Sequence, residues 1–256
     1  MAPRSANKTI VLSNELISKG MRRITLTGET LDSFGPQSVG GYFKFLFNED
    51  GSTDVSKAIE QGKRPIMRTY TVKSFDQDNA SITVDVVRHA GDHAGLASHW
   101  AEHAAAGDTI SIVGPGRSQY PSFDKDSAIF VADMTALPAL SVVLENLSEQ
   151  VNGHAFIEVN NDDDKQQLKH PEGVQLHWII RQGERSLFDA VTSLAWPNNH
   201  VQVWCACEFD TMKALRNYFT REHEVAREDI YISSYWKSGV TEDGHKQIKR
   251  QDAESA

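Results

Sequence analysis

The sequence contains few of the features that define several large classes of protein. Of its 256 residues only two are cysteines, Cys205 and Cys207, which share one face of a predicted strand and are interpreted as buried, reduced thiols rather than as a disulfide or a metal site. No apolar run approaches the ~20 residues that a membrane-spanning helix needs, so no membrane span is predicted. Residues 1–7 lack the hydrophobic core of a signal peptide, which predicts a cytoplasmic protein.

Positive charge is also in short supply, and familiar catalytic motifs are missing. The formal net charge of −9 argues against nonspecific binding to nucleic acid. We find no P-loop, no Ser-His-Asp arrangement and no cluster of metal-ligating residues. His99 and His103 are four apart and would share a helix face, but no third ligand is evident, which favours a solvated face. The sequence therefore predicts neither a catalytic side chain nor a metal site.

The first half of the chain is predicted to be β. Short apolar and β-branched runs are separated by turns rich in Gly, Pro, Asp and Asn, and one helical segment precedes the last run. This pattern predicts a closed, six-stranded antiparallel barrel with strands at 9–16, 23–28, 41–47, 66–74, 81–89 and 109–113.

The second half of the chain changes its rhythm, because strands now alternate with amphipathic helical patterns. Such alternation predicts a parallel sheet with helices on its faces. The predicted strands are 128–132, 154–159, 175–180, 201–205 and 230–233. We therefore predict two domains, 1–122 and 123–256, with the boundary near residues 119–125.

The most informative segment is Met67-Arg68-Thr69-Tyr70-Thr71. On a strand, Arg68 and Tyr70 share one face while Thr69 and Thr71 share the other. A guanidinium matches the oxygens of a pyrophosphate, and a tyrosine ring two residues on can lie against a flat heteroaromatic ring. A dinucleotide with a flat tricyclic end would satisfy both side chains, with Thr71 donating toward a ring nitrogen. A surface strand that carries these residues by chance is the alternative.

A second segment adds an anion-binding element. The predicted strand 81–89 has a polar face that includes Asp85 and His89, and a turn then leads into a helix with Ser98 in its first turn. Free backbone N–H groups and the helix dipole favour a phosphate at that position. Alternatively, Ser98 is an ordinary helix cap and His89 a solvated residue at the end of a strand.

Together these motifs resemble the siderophore-interacting protein family, flavin-dependent ferric-siderophore reductases of the ferredoxin-reductase-like superfamily. The resemblance covers nearly the whole chain. Its most distinctive motifs are Thr-Ala-Leu-Pro-Ala at 135–139 and Tyr-Trp-Lys-Ser-Gly at 235–239. The full set of anchors is 68–71, 85–89, 95–101, 107–115, 133–139 and 234–239.

The resemblance implies an N-terminal FAD-binding barrel followed by an NAD(P)H-binding-like α/β domain with a C-terminal tail. It implies that the flavin performs the chemistry, that Tyr70 packs on the isoalloxazine and that Thr71 contacts its central ring. Further residues are implied to contact the cofactor, at its pyrophosphate, its ribityl chain or nearby. They are Arg68, Thr69, Asp85, Val87, His89, Ala97 and Ser98. From the second domain the resemblance brings Thr135 near the cofactor. Trp236 is either an aromatic lid, stacking on the adenine, or a packing residue between tail and domain.

The resemblance also implies a ferric siderophore as substrate. Many ferric siderophores are anionic, so their site on this acidic chain must be a local basic patch. We predict Lys44 first, Lys237 second and Arg117 third as substrate-binding residues, the alternative for each being a solvated surface cation.

Two departures from the family pattern concern the electron donor. Ala132 and Cys207 stand where family members commonly have glycine, and their bulk is expected to hinder the close approach of a nucleotide. NADH or NADPH is therefore one possible donor and an iron–sulfur protein another. The acidic run 162–164 would favour NADH over NADPH if it contacted the ribose of the nucleotide, but a solvated turn is the favoured interpretation. A flavoprotein that binds siderophores or transfers electrons with little turnover of its own is the alternative function.

Overall fold

The chain forms two compact units, residues 1–118 (the N-terminal unit) and residues 119–256 (the C-terminal unit). The computed structural model describes residues 6–29, 31–88, 95–118, 120–181 and 183–255. His89, one of the predicted cofactor residues, lies outside these ranges. Within them, no helix combines the length and the apolar character that crossing a membrane requires.

The N-terminal unit is built on an antiparallel sheet of seven strands. Its strand order is β4-β3-β7-β1-β2-β6-β5. The elements are β1 (Asn7–Ser18), β2 (Met21–Thr27), β3 (Tyr42–Phe47), α1 (Ser56–Glu60), β4 (Ile66–Thr71), β5 (Ser74–Asp76), β6 (Ser81–Val87), α2 (Leu96–His103) and β7 (Thr109–Gly116).

The antiparallel architecture is confirmed, but the predicted number of strands and the predicted closure are wrong. The run predicted as one strand, 66–74, is divided between β4 and β5 because the chain changes its pairing partner there. β4 pairs with β3, whereas Lys73 donates its backbone N–H to the carbonyl of Thr83, and β5 pairs with β6. Among the described strands the ladder runs from β4 to β5 without a pairing that joins those two ends, so the sheet is barrel-like but open.

The core of the N-terminal unit lies between the curled sheet and α2. β3 contributes Phe43, Phe45 and Phe47, all fully buried, each worth about 1.5–3 kcal/mol through burial of apolar surface. α2 turns Ala97 and Ala101 toward the same core. Small side chains on this face let the helix backbone approach β6 and β2 closely, and Trp100 in the middle of α2 contacts Phe45 of β3.

The C-terminal unit contains the predicted parallel sheet. Its strand order is β10-β9-β8-β11-β12, so the chain adds strands on one side of β8 first and on the other side afterwards. The switch point lies between β8 and β11, and open α/β sheets bind their ligands at such a point. The elements are β8 (Ser127–Ala132), α3 (Leu137–Glu145), β9 (Gly153–Val159), β10 (Val174–Ile180), α4 (Leu187–Thr192), β11 (Val201–Glu208), α5 (Phe209–Asn217), β12 (Ile230–Trp236) and α6 (Glu242–Ser255).

The C-terminal tail forms a helix that the apolar pattern did not predict. α6 is polar along most of its length, and specific contacts hold it in place. His245 is buried and contacts the Ser234 hydroxyl at 2.8 Å, while Arg216 forms a bidentate pair with Asp252 at 2.6 and 2.8 Å. These polar contacts, rather than a broad apolar stripe, attach the tail to β12 and α5.

Candidate functional site

Arg68 and Tyr70 occupy the inner face of the N-terminal sheet. In the β3–β4 ladder Phe45 pairs with Arg68 and Phe43 pairs with Tyr70, so both side chains share the face of the buried phenylalanines. The ring of Tyr70 lies 5.2 Å from that of Phe45, and both Arg68 and Tyr70 remain partly exposed. A cation and a flat ring are therefore presented side by side, as the alternation along the strand predicts.

The other face of β4 carries the two threonines. Thr69 is exposed, and its hydroxyl accepts a hydrogen bond from the Lys44 ammonium at 2.9 Å. The same ammonium lies 5.7 Å from the centre of the Tyr42 ring. Thr71 is buried opposite Tyr42. Lys44 is thus positioned by a cross-strand partner of the predicted cofactor motif.

Helix α2 contacts Phe45 through Trp100. The ring of Trp100 lies 4.9 Å from that of Phe45, and the ring of Tyr70 lies 5.2 Å from the same phenylalanine. Gly95 precedes the helix and provides no side-chain cap, and the first turn carries no acidic residue. Ala97 and Ser98 in that turn are buried. The helix dipole favours an anion there.

Asp85, a predicted cofactor residue, makes its main contacts with an arginine. Its buried carboxylate accepts two hydrogen bonds from Arg23, at 2.7 and 2.8 Å. Val87 is half-buried opposite Met21 at the end of β6. The predicted polar face of this strand is thus largely committed to partners within the sheet.

The donor set of the N-terminal unit fits the FAD that the family implies. The unit carries a guanidinium on β4 and a helix N-terminus that has no side-chain cap from Gly95, and both suit a pyrophosphate. A tyrosine ring stands beside the guanidinium on the same strand and is partly exposed. Arg68, Tyr70, Thr71 and the start of α2 are the groups that would hold the cofactor.

In the C-terminal unit a buried carboxylate organises the end of the sheet where its strands terminate, which we call the carboxyl edge. Asp133 accepts hydrogen bonds from the backbone N–H and the hydroxyl of Thr135 at 2.9 and 2.6 Å, and from the indole of Trp236 at 2.7 Å. Burial raises the pKa of Asp133 in spite of these donors. The predicted residues Thr135 and Trp236 are therefore brought together by a third residue that the sequence analysis did not select.

Trp236 is held within its own unit. Besides the bond to Asp133, its ring lies 4.9 Å from the guanidinium carbon of Arg181. Arg181 also approaches Glu158 to 3.8 Å, and burial raises the pKa of that glutamate. These contacts correspond to the packing alternative for Trp236. Its predicted role as a lid over adenine stays a prediction.

Carboxylates of the chain itself lie at the two helix N-termini beside the switch point. Before α3, Asp133 accepts from the backbone N–H groups of Thr135 and Ala136, which lie in the turn that leads into the helix, whereas the helix itself has no side-chain cap and its second residue is Pro138, which has no N–H. At α5, Glu208 caps the helix and accepts from Asp210 and Thr211 at 2.6 and 3.2 Å.

The remaining predicted residues differ in their burial and in their contacts. Ala132 and Cys207 are fully buried at the ends of β8 and β11, and a hydrogen bond with Cys205 together with burial raises the pKa of the Cys207 thiol well above its ordinary value. Lys237 bonds both carboxylate oxygens of Asp210 at 2.7 Å, whereas Arg117 is exposed.

The two units together define a flavoprotein with a barrel-like cofactor domain and a nucleotide-type α/β domain. Family models match both: "Siderophore-interacting FAD-binding domain" over residues 10–119 and "Siderophore-interacting protein" over residues 125–239. The chain belongs to the siderophore-interacting protein family, as the motifs predicted, and is a flavin-dependent oxidoreductase with FAD as cofactor.

Individual relatives agree with this assignment. The chain is 30% identical to "Ferric vibriobactin reductase ViuB" of Vibrio cholerae, over 90% of this chain and 88% of that protein. It is 28% identical to the "NADPH-dependent ferric-chelate reductase" of Escherichia coli, over 88% and 91%. The crystal structure of the siderophore-interacting protein SipS from Aeromonas hydrophila superposes with a TM-score of 0.83 at 29% identity, covering 98% of each chain.

Proposed function

We propose that this protein reduces ferric siderophores in the cytoplasm, with FAD held by the N-terminal unit, and so releases iron in the ferrous state. The observation that carries the proposal is the placing of Arg68 and Tyr70 side by side on the inner face of β4, in a unit where α2 contacts Phe45 through Trp100. Relatives named as ferric-siderophore and ferric-chelate reductases support the substrate class.

FAD supplies conversion between two-electron and one-electron chemistry, which a hydride donor and ferric iron require. The residues of the chain bind and orient it. Arg68 and the N–H groups at the start of α2 neutralise the pyrophosphate, and Tyr70 covers one face of the ring system with its own ring. Thr71 donates toward the central ring. No side chain needs to carry out a covalent step.

Lys44 and Arg117 are the proposed contacts of the N-terminal unit with an anionic ferric chelate. Lys44 keeps a partial exposure, and its bond to Thr69 directs the ammonium along the outer face of β4. Lys237 contributes less on this proposal, because its ammonium already contacts both oxygens of Asp210 and lies 4.9 Å from the Phe209 ring.

NADH or NADPH is the proposed electron donor, and an iron–sulfur protein is the alternative. The Escherichia coli relative named as NADPH-dependent supports a nucleotide. The Glu208 cap on α5, however, uses N–H groups that would otherwise receive a pyrophosphate, and Asp133 in the turn before α3 adds a second carboxylate. Weak nucleotide binding is therefore expected, with half-saturation above the range of about 1 μM to 1 mM that is typical of enzymes.

The proposal is tested anaerobically. Purified protein is photoreduced until the flavin bands bleach, and a ferric tris-catecholate or a ferric tris-hydroxamate is then added in the presence of a ferrous chelator. Rapid return of the oxidised bands together with the ferrous complex is the expected result. Bands that stay bleached with both chelates would favour a binding or electron-transfer flavoprotein instead.

The donor is tested with the same protein. Oxidised enzyme is mixed anaerobically with increasing NADH or NADPH, and bleaching of the flavin is followed by stopped flow. We expect rates that rise almost linearly with nucleotide concentration. Saturation at micromolar nucleotide would contradict the argument from the helix caps, and no bleaching at all would leave the iron–sulfur protein as the donor to test.

A further inference from the structure

Four polar side chains fasten the C-terminal half of α2 to the sheet. They are Asn14 on β1, Arg22 on β2, Arg88 directly after β6, and Glu102 on α2 itself, and we call them the α2 clamp. The four residues are far apart in sequence, and none was selected as a site residue from the sequence. Their contacts meet at one side of the helix.

Glu102 is the centre of the α2 clamp. Its carboxylate bonds the Nε and Nη2 groups of Arg88, the latter at 3.2 Å, and it contacts Arg22 Nε at 3.4 Å. The hydrogen bond from Arg88 lowers the pKa of Glu102, so the carboxylate stays charged at neutral pH. Two cations near the C-terminal half of a helix also suit its dipole.

Arg88 and Asn14 extend these contacts in two directions. Arg88 donates to the carbonyl of Lys19 at 2.7 Å, which ties it to the turn between β1 and β2. Asn14 donates to the carbonyls of Ala101 and Ala104 at 2.8 and 2.7 Å, and its own oxygen accepts from Arg22 at 3.1 Å. The carbonyls at the end of α2, which lack partners within the helix, are thereby satisfied from β1.

Apolar packing and polar contacts hold α2 in different ways. Ala97 and Ala101 are buried in the core and Ala104 lies just beyond the helix end, while Leu96 and Trp100 pack against the same core. Apolar contacts have little directional preference, whereas the bidentate Arg88–Glu102 pair and the two bonds from Asn14 have directional geometry. The polar contacts therefore define the orientation of the C-terminal half of the helix.

We infer that the α2 clamp positions the FAD-binding end of α2. This inference rests on the proposed function, in which the start of α2 receives the pyrophosphate. With eight residues the helix is about 12 Å long, so a tilt of about 10° about the clamped end would move the first N–H groups by about 2 Å. A displacement of that size breaks hydrogen bonds to a phosphate. The clamp residues are positioning residues and do not themselves contact the cofactor.

The test measures FAD affinity of flavin-stripped, full-length protein by fluorescence titration, together with the thermal unfolding midpoint. The variants are Glu102→Gln, Arg88→Gln and the double variant. Asp252→Asn is the matched control, because it removes the carboxylate of another bidentate arginine pair, with Arg216, in the C-terminal unit. If Glu102→Gln does not fold, Arg88→Lys, which keeps the charge but loses the guanidinium fork, carries the same test.

We expect each single clamp variant to bind FAD about 10-fold more weakly, a loss typical of removing a residue that orients a ligand-binding group. The double variant should be little worse than either single one, because both remove one pair. At saturating FAD, reoxidation by a ferric chelate should keep the wild-type rate. The control should unfold at a lower temperature and bind FAD with wild-type affinity.

The outcomes separate the two levels of inference. Two results would overturn the positioning role and leave the proposed function standing. In the first, the clamp variants bind FAD as tightly as the wild type. In the second, their loss of FAD affinity is no larger than that of the control for the same fall in unfolding midpoint. Wild-type protein that does not bind FAD would overturn the proposed function and this role with it.

Discussion

The Asp133 carboxylate accepts the indole N–H of Trp236 at 2.7 Å across 103 positions of sequence. Asp133 directly follows β8 and Trp236 is the last residue of β12, so this bond joins strands that are not neighbours in the sheet. It also joins two of the segments that carry the family resemblance, 133–139 and 234–239. The carboxyl edge is thus organised by an internal contact of the protein.

Replacing Asp133 with Asn should destabilise the protein by about 1–3 kcal/mol, because an amide cannot accept from every donor that the carboxylate serves. Whichever way the amide turns, its N–H₂ meets either the indole of Trp236 or the donors of Thr135. Urea unfolding of the two proteins measures the difference. Asp163→Asn, at an exposed position, is the control, and an equal effect of both changes would contradict the organising role of Asp133.

Tyr70→Leu should weaken FAD binding, because stacking of a flat ring on an aromatic side chain contributes about 1–3 kcal/mol. Tyr70→Phe keeps the ring and its contact with Phe45, so it should retain affinity to within about 0.5 kcal/mol. Fluorescence titration of the stripped proteins checks both changes. Similar affinities for the Leu and Phe variants would show that the ring does not stack on the cofactor.

Lys44→Gln should raise the KM for an anionic ferric chelate several-fold and leave the amount of bound flavin unchanged. The ammonium contacts Thr69 on the outer face of β4, whereas Arg68 and Tyr70 occupy the inner face. Steady-state reduction followed through a ferrous chelator gives the KM, and the visible spectrum gives the flavin content. Lys57→Gln, an exposed lysine of the same unit, controls for the loss of one charge. If the Lys44 variant lost bound flavin to the same extent as reductase activity, the assignment of Lys44 to substrate binding would be contradicted.

Much of this architecture could be predicted from local patterns. Alternation along β4 placed Arg68 and Tyr70 on one face, and the ladder to β3 confirms it. The alternation of strands and helices predicted the parallel sheet, whose strand bounds differ by only a few residues. Both properties depend on neighbours in sequence, where side-chain periodicity carries the information.

Pairing between distant polar residues could not be predicted in the same way. The assignment of Asp85 to the cofactor stays a prediction, but its ion pair with Arg23, 62 positions away, was not predicted. Nothing in the residues around Asp85 distinguishes a carboxylate that meets a ligand from one that meets a neighbouring strand. The cap of Glu208 on α5 was missed for a related reason, although a carboxylate directly before a helix suits the helix dipole.

The paired imidazoles of His154 and His177 should make the C-terminal unit sensitive to acid. Their ring nitrogens are 3.0 Å apart on neighbouring strands, and His177 stacks on Phe156 with ring centres 4.7 Å apart. Burial lowers the pKa of both rings from the ordinary 6.5, and the positive charge of Arg185 adds to the effect at His177. Both histidines are therefore neutral in the folded protein at neutral pH.

The sign of the acid effect follows from proton binding. Below pH 6.5 the unfolded chain takes up protons that the folded pair resists, so the free energy of unfolding should fall as the pH drops from 6.5 toward the lowered pKa values of the folded pair. The double variant His154→Gln/His177→Gln keeps hydrogen-bonding groups and removes both titrations. Urea unfolding from about pH 7.5 to about pH 5 should show a shallower decline in the variant than in the wild type. Parallel pH profiles would mean that the pair exchanges its proton without cost to the fold, and the acid sensitivity would then have to arise from other groups.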